Sequence, residues 1–185
     1  MFYYPIITLL FYFCSTMLYS LRLFKQRMLL HKPRLRRFLT KIEKKAPKNI
    51  TVVVEKINTA VWKEVDCLQC ANCCKTMSPT YTQKDIHRIA QHLNMSIATF
   101  KKQWLCKDKS GDWVNTKQPC PFLQSNNMCS IYTVRPADCA GFPHLTKKKM
   151  VDYIHVHQQN VEYCPATYIF VEKMEKLWKE EGFGK

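Results

Sequence analysis

The stretch Cys67-Leu-Gln-Cys70-Ala-Asn-Cys73-Cys74 places four thiols within eight residues. Packing does not select such a density, because a buried thiol behaves as one more small apolar side chain. Two thiolates separated by two residues can converge on one metal while the intervening amides point at the sulfurs, and the spacing therefore recurs in zinc and iron–sulfur sites. Further along stand Cys120-Pro121, Cys129, Cys139 and Cys164-Pro165, a second set of four. The sequence thus offers eight candidate metal ligands: Cys67, Cys70, Cys73, Cys74, Cys120, Cys129, Cys139 and Cys164. The cofactor they imply is zinc or iron, as mononuclear ions or as an iron–sulfur cluster.

Neighbouring side chains diverge, so Cys73 and Cys74 are expected to divide between two metals or across a cluster. Cys67, Cys70 and Cys73 with the remote Cys164-Pro165 also match a ferredoxin pattern in part, although the third spacing differs. Ten cysteines is an even number and would permit disulfides. Against them, no basic region precedes the apolar start as a secretory signal requires, and a bridge between adjacent cysteines is geometrically poor. A zinc ribbon is disfavoured too, since such knuckles place Gly after the second Cys for a left-handed turn. Here Ala71 and Lys75 follow instead, though Asn72 could adopt that conformation.

Cys14 is read as inert, and Cys106, at a helix end, as a spare buried thiol or else an auxiliary ligand. Residues 151–157 read as a strand, which would put His155 and His157 on one face. These two and His144 are the imidazoles able to replace a thiolate, with unliganded side chains the plainer reading. His87 and His92 are five apart rather than four, which is not the spacing of a helical metal pair.

The chain has 185 residues with four Gly, nine Pro and 46% hydrophobic composition, enough for one domain with an appendage and incompatible with a collagen-like or low-complexity chain. Its net charge of +15 is uneven. Residues 1–50 hold 11 Lys/Arg against one acid, Glu43, whereas residues 51–185 hold 18 against 13. The cysteine-rich part is therefore only mildly basic, and no nucleic-acid partner is expected. No Gly-rich phosphate loop, Ser-His-Asp set or nucleotide motif points to an organic cofactor.

Three segments follow. Residues 1–21 carry no charge and are long enough to span a bilayer, or else are translated upstream sequence preceding a true start at Met17 or Met28. Residues 22–50 form a basic juxtamembrane or helical segment. Residues 51–185 form the cysteine-cluster metal-binding domain. Cations that follow the apolar run would keep that domain in the cytoplasm by the positive-inside rule, with a membrane contact through residues 1–21.

The fold class expected is α+β, a small helix-dominated domain with an irregular cysteine-rich region stapled by metal. Leu35, Phe38, Leu39 and Ile42 predict a helix ended by Ala46-Pro47, and Val53, Val54, Ile57, Val61 and Val65 a second. Thr82 and Asp85 cap a helix with Ile86, Ile89, Ala90 and Leu93 inward, and Ser96 opens one with Ile97, Phe100 and Trp104. Phe170, Val171, Met174, Leu177 and Trp178 give the closing helix. Residues 111–143 read as short strands and turns, with Asn126-Asn127 the hairpin turn and residues 129–132 its return.

The elements Cys67-x2-Cys70-x2-Cys73-Cys74, Thr82-Gln-Lys-Asp85, Pro119-Cys120-Pro121-Phe122-Leu123 and Cys129-Ser-Ile-Tyr132-x2-Arg135-Pro136-x2-Cys139-x2-Phe142-Pro143 resemble the YkgJ-type cysteine cluster family, over roughly residues 60–168. The resemblance implies a zinc- or iron-chelating domain, with an iron–sulfur oxidoreductase or methylase-like enzyme as the alternative. Ala140 stands where many members carry Arg. Arg135 is expected either to offset the charge of a thiolate cluster or to pair with Asp138.

Overall fold

The computed structural model describes residues 20–146 and 149–181. Cys14 and all but the last two residues of the apolar segment 1–21 lie outside the described residues, as do Lys147 and Lys148. Among the described residues no helix is long and apolar enough to cross a membrane.

Helix α1 (Leu21–Lys44) starts where the Ser20 hydroxyl accepts a hydrogen bond from the Leu23 amide at 3.2 Å. It buries Phe24, Met28, Leu35, Phe38, Leu39 and Ile42. The apolar spacing foretells only its second half. The helix runs on through Pro33 because that residue sits on the exposed face, where the Leu29 carbonyl deprived of an amide partner is open to water. Helix α2 (Ile50–Val61) turns Val54, Ile57 and Val61 inward.

Two short helices, α3 (Cys67–Cys70) and α4 (Asn72–Thr76), carry the first four thiols. Helices α5 (Gln83–His92) and α6 (Ile97–Trp104) lead into an antiparallel pair, β1 (Leu105–Lys107) and β2 (Trp113–Asn115), with Cys106 opposite Val114. Helix α7 (Ala137–Gly141) precedes the closing pair, α8 (Ile154–Tyr163) and α9 (Pro165–Glu180). Pro165 stands in the first turn of α9, where its missing amide hydrogen would have had no helical partner anyway. Among the described residues the protein is thus helix-dominated, as the sequence predicts, with one small sheet.

Two cores form. The larger gathers α1, α2, α8 and α9 around Leu35, Leu39, Ile42, Val61, Phe170 and Val171, all fully buried, each worth about 1.5–3 kcal/mol of apolar burial before entropy is counted. The smaller gathers Tyr81, Ile86, Ile89, Phe100, Phe122 and Ile131 from α5, α6 and the following loops. The basic segment is docked on the larger core by acids of α9. Glu172 takes Arg27 at 3.2 Å and Arg34 at 3.4 Å and accepts from the Tyr168 hydroxyl at 2.7 Å, and Glu175 takes Arg34 at 2.9 Å. Part of the N-terminal positive charge is therefore spent inside the fold.

Two local expectations are corrected. Residues 151–157 are not a strand: a 3-10 turn over Met150–Tyr153 runs into α8, because Ile154, His157 and Val161 are buried at helical spacing. His155 and His157 consequently face different ways, His155 exposed and His157 buried. The return after Asn126-Asn127 shrinks to a single bridge between Leu123 and Cys129, with Asn127 left-handed at φ 66°, before a 3-10 turn at Tyr132–Val134.

His157 is wholly buried, and neither ring nitrogen has a hydrogen-bond partner among the described residues. Burial, then the neighbouring His144 and His155, pull its pKa from 6.5 to about 4. The unfolded chain therefore binds a proton that the folded chain refuses, and stability falls as the pH drops below 6.5. Linkage puts the loss at about 2 kcal/mol between pH 7 and pH 5. Urea unfolding at the two pH values measures it, and His157→Leu should remove that share of the slope. An unchanged slope in the variant would assign the acid sensitivity elsewhere.

Candidate metal centre

Asp66 opens α3: its carboxylate accepts from the amides of Leu68 at 2.9 Å and Gln69 at 3.3 Å. After one turn Ala71, at φ 45° and ψ 20°, breaks the helix, and α4 begins at once. The left-handed turn is thus made, but by Ala71 rather than Asn72, at a cost of about 1–2 kcal/mol for a residue with a Cβ. Asn72 has a different task. It is buried, and its side-chain amide donates to the Tyr163 carbonyl at 2.6 Å, fastening the cysteine motif to the end of α8. Neither Asp66 nor Asn72 stands out among the candidate ligands, although Asp immediately before a helix is a readable capping signal.

The downstream thiols approach from separate elements. The Cys120 amide donates to the Cys74 carbonyl at 2.8 Å, laying the Pro119–Pro121 segment directly against α4. Cys129 arrives through its bridge to Leu123, and Cys139 lies on α7. Cys164 is buried in the larger core at the entrance to α9, whereas Cys120 and Cys129 pack against the smaller one. Sγ of Cys73 and Sγ of Cys74 are 3.9 Å apart.

Two cavities border these sulfurs. A void of about 10 Å³ is walled by Cys67, Cys70, Cys73 and Cys164 with Ala71 and Tyr163. A larger cavity of about 270 Å³, mostly apolar, is bordered by Cys74, Cys120, Cys129 and Cys139, and by Cys67 and Cys73 on its near side. Phe122, Tyr132 and Phe142 also line it. As the side chains stand, no three His, Cys, Asp or Glu groups among the described residues converge closely enough to hold an ion. Closing either set around a metal takes rotation of the thiols.

Burial dominates the electrostatics of most of these sulfurs, and Cys74 acts on thiols of both groups. Burial first, then Cys70 and Cys74, raises the Cys67 thiol above its ordinary pKa, and burial raises Cys70. Cys164 is pushed up to about 12 by burial, with Cys67 adding to it. On the other side, burial and then Cys74 and Cys120 raise Cys139, while burial followed by Cys74 and Cys129 raises Cys120. Cys129 is raised by burial and then Cys74. Within the central pair, the hydrogen bond shared by the sulfurs of Cys73 and Cys74 raises Cys73 and lowers Cys74; burial and then Cys74, Cys67 and Cys164 raise Cys73 further. Seven of the eight thiols resist ionisation on their own. A bound divalent cation reverses that preference, because coordination deprotonates a thiol outright. The donor set therefore suits a thiophilic metal.

The remaining candidates fall outside. Cys106 is exposed on β1, contrary to the buried thiol expected, because Leu105 takes the inward position of that strand. His144 gives its Nε2 contact to Asp138 at 3.1 Å, and none of His144, His155 and His157 lines either sulfur-bordered cavity. His87 and His92 are exposed.

Compared with known proteins, residues 66–165, more than half of the chain, match the family CxxCxxCC, described as "Putative zinc- or iron-chelating domain". No curated protein and no solved structure matches the chain.

Proposed function

The chain belongs to the CxxCxxCC family, and from that premise we propose that it is a metal-binding protein in which eight of the nine domain cysteines hold two ions. Cys67, Cys70, Cys73 and Cys164 make one site; Cys74, Cys120, Cys129 and Cys139 make the other. The observation that carries this division is the pair of cavities: Cys73 walls the small void with Cys67, Cys70 and Cys164, and Cys74 does not line it, whereas Cys74 borders the large cavity with Cys120, Cys129 and Cys139. Zinc or iron, once bound, supplies a cross-link between segments far apart in sequence, so that binding energy becomes folding energy. The protein's own contribution is to present the sulfurs. Asp66 and Ala71 set the two short helices, Asn72 ties them to α8, and the Cys120–Cys74 backbone bond brings in the downstream ligands.

Elemental analysis of anaerobically purified protein, with its visible spectrum, tests the division. Two equivalents of metal are expected, with Cys73→Ala and Cys74→Ala each retaining one equivalent, bound by the opposite set. A single strongly coloured multi-iron cluster, lost entirely in either variant, would overturn it.

A further inference from the structure

Arg135 lines the 270 Å³ cavity together with sulfurs of both sets, and the geometry points to it as the positive charge that the two thiolate sites share. The inference rests on the metal-binding reading, because four thiolates on a divalent ion leave each site with two surplus negative charges. Two such centres, joined through adjacent residues and partly withdrawn from water, repel one another and are costly to desolvate.

Arg135 is the one Lys or Arg side chain in that wall, and Asp138 the one carboxylate. The two do not pair. Asp138 is engaged by His144 Nε2 at 3.1 Å and by the Thr80 amide at 3.2 Å, and Arg135 makes no ion pair with any described carboxylate. The other polar groups of the wall are also engaged: Asn127 donates to the Gln69 carbonyl, and Ser78 accepts from the Asn115 amide and donates to the Pro79 carbonyl. The thiols are the groups of the wall that a bound metal makes anionic, and the guanidinium shares the cavity with them.

Its placement is fixed rather than free. Nη1 donates to the Tyr132 carbonyl at 2.7 Å, and the guanidinium carbon lies 3.9 Å from the centre of the Tyr132 ring. The Arg135 carbonyl accepts from Arg88 Nη2 at 2.9 Å, and Arg88 is in turn held by Asp85 at 2.6 Å. Arg135 is therefore a positioning residue for charge, acting on both ions through their sulfurs.

Zinc affinities measured by competition against a chromophoric chelator, on the full chain, test the inference. Arg135→Gln should still take up two zinc ions but bind each at least about 10-fold more weakly, and Arg135→Lys should stay within about 3-fold of the parent, since it retains the charge. In cobalt-loaded protein, the sulfur-to-metal absorption of both sites should shift in Arg135→Gln, a readout that a purely structural change leaves in place. Equal losses in the Gln and Lys variants, or weakening at one ion alone, overturn the shared charge while leaving the metal sites standing. A parent chain that takes up no zinc or cobalt overturns the proposed function and this inference with it. If Arg135→Gln fails to fold, the Lys variant and the cobalt spectra at high and low salt decide the matter, because a charge effect on both bands weakens with salt and a packing effect does not.

Discussion

Stripping the metal from the loaded protein with excess chelator should lower the melting temperature of the cysteine-bearing half by about 10 °C or more. Helices α3 and α7 bury no residue completely, and α4 buries only Asn72. Apolar packing thus does little to hold the segments that carry the sulfurs. Thiolate sites bind structural zinc with about 10–16 kcal/mol of apparent free energy. If a third of that reaches folding, at about 2–4 °C per kcal/mol for a chain of this size, a shift of this order follows. The larger core has no sulfur ligand but Cys164 and should keep much of its helix signal. Calorimetry and circular dichroism before and after chelation test both statements, and an unchanged melting curve would remove metal from the account of the fold.

Replacing Asp85 by Ala should destabilise the protein by about 3–5 kcal/mol, the range for breaking a buried charged network. Its carboxylate is 1% exposed and closes a capping box with Thr82, accepting from the Thr82 amide at 3.0 Å and the Thr82 hydroxyl at 2.6 Å. It also takes Arg88 at 2.6 Å and the Ala137 amide at 3.1 Å. Burial alone would raise its pKa, but the hydrogen bonds from Thr82, Arg88 and Ala137 outweigh burial and hold the carboxyl below the usual range. The stabilisation is therefore present above the ordinary carboxylate pKa and is lost as the pH falls through the lower folded value. Denaturant unfolding at pH 7 reads the loss. Because Ala137 opens α7, the same variant should also loosen Cys139, visible as weaker binding of one metal ion and not the other.

What could be read from the sequence was whatever is decided over a few residues. The box of Thr82 and Asp85 and the Ser96 cap are local hydrogen-bond chemistry, and both helices they predict are present. The family and its cysteine pattern were legible for the same reason, since x2 spacing is written in the chain itself. Elements that depend on distant packing were not. Pro33 is tolerated because of which face of α1 it occupies, and residues 151–157 are helical because Ile154 and Val161 have a core waiting for them. The left-handed turn at Ala71 is imposed by the meeting of two helices that no propensity would place there. The reach of Asp85 to Ala137, and the bond from Cys120 to Cys74, join residues tens of positions apart and leave no periodic trace.

The position of Cys164 bears on how the protein is made. On the proposed division, a ribosome that has released residues through Cys139 has already delivered every ligand of one metal site. The other site, and the partners of the apolar stripe on α1, wait for α8 and α9. The first of the described helices is thus the last of them to be covered, and one ion can be captured by a nascent chain while the other must await Cys164.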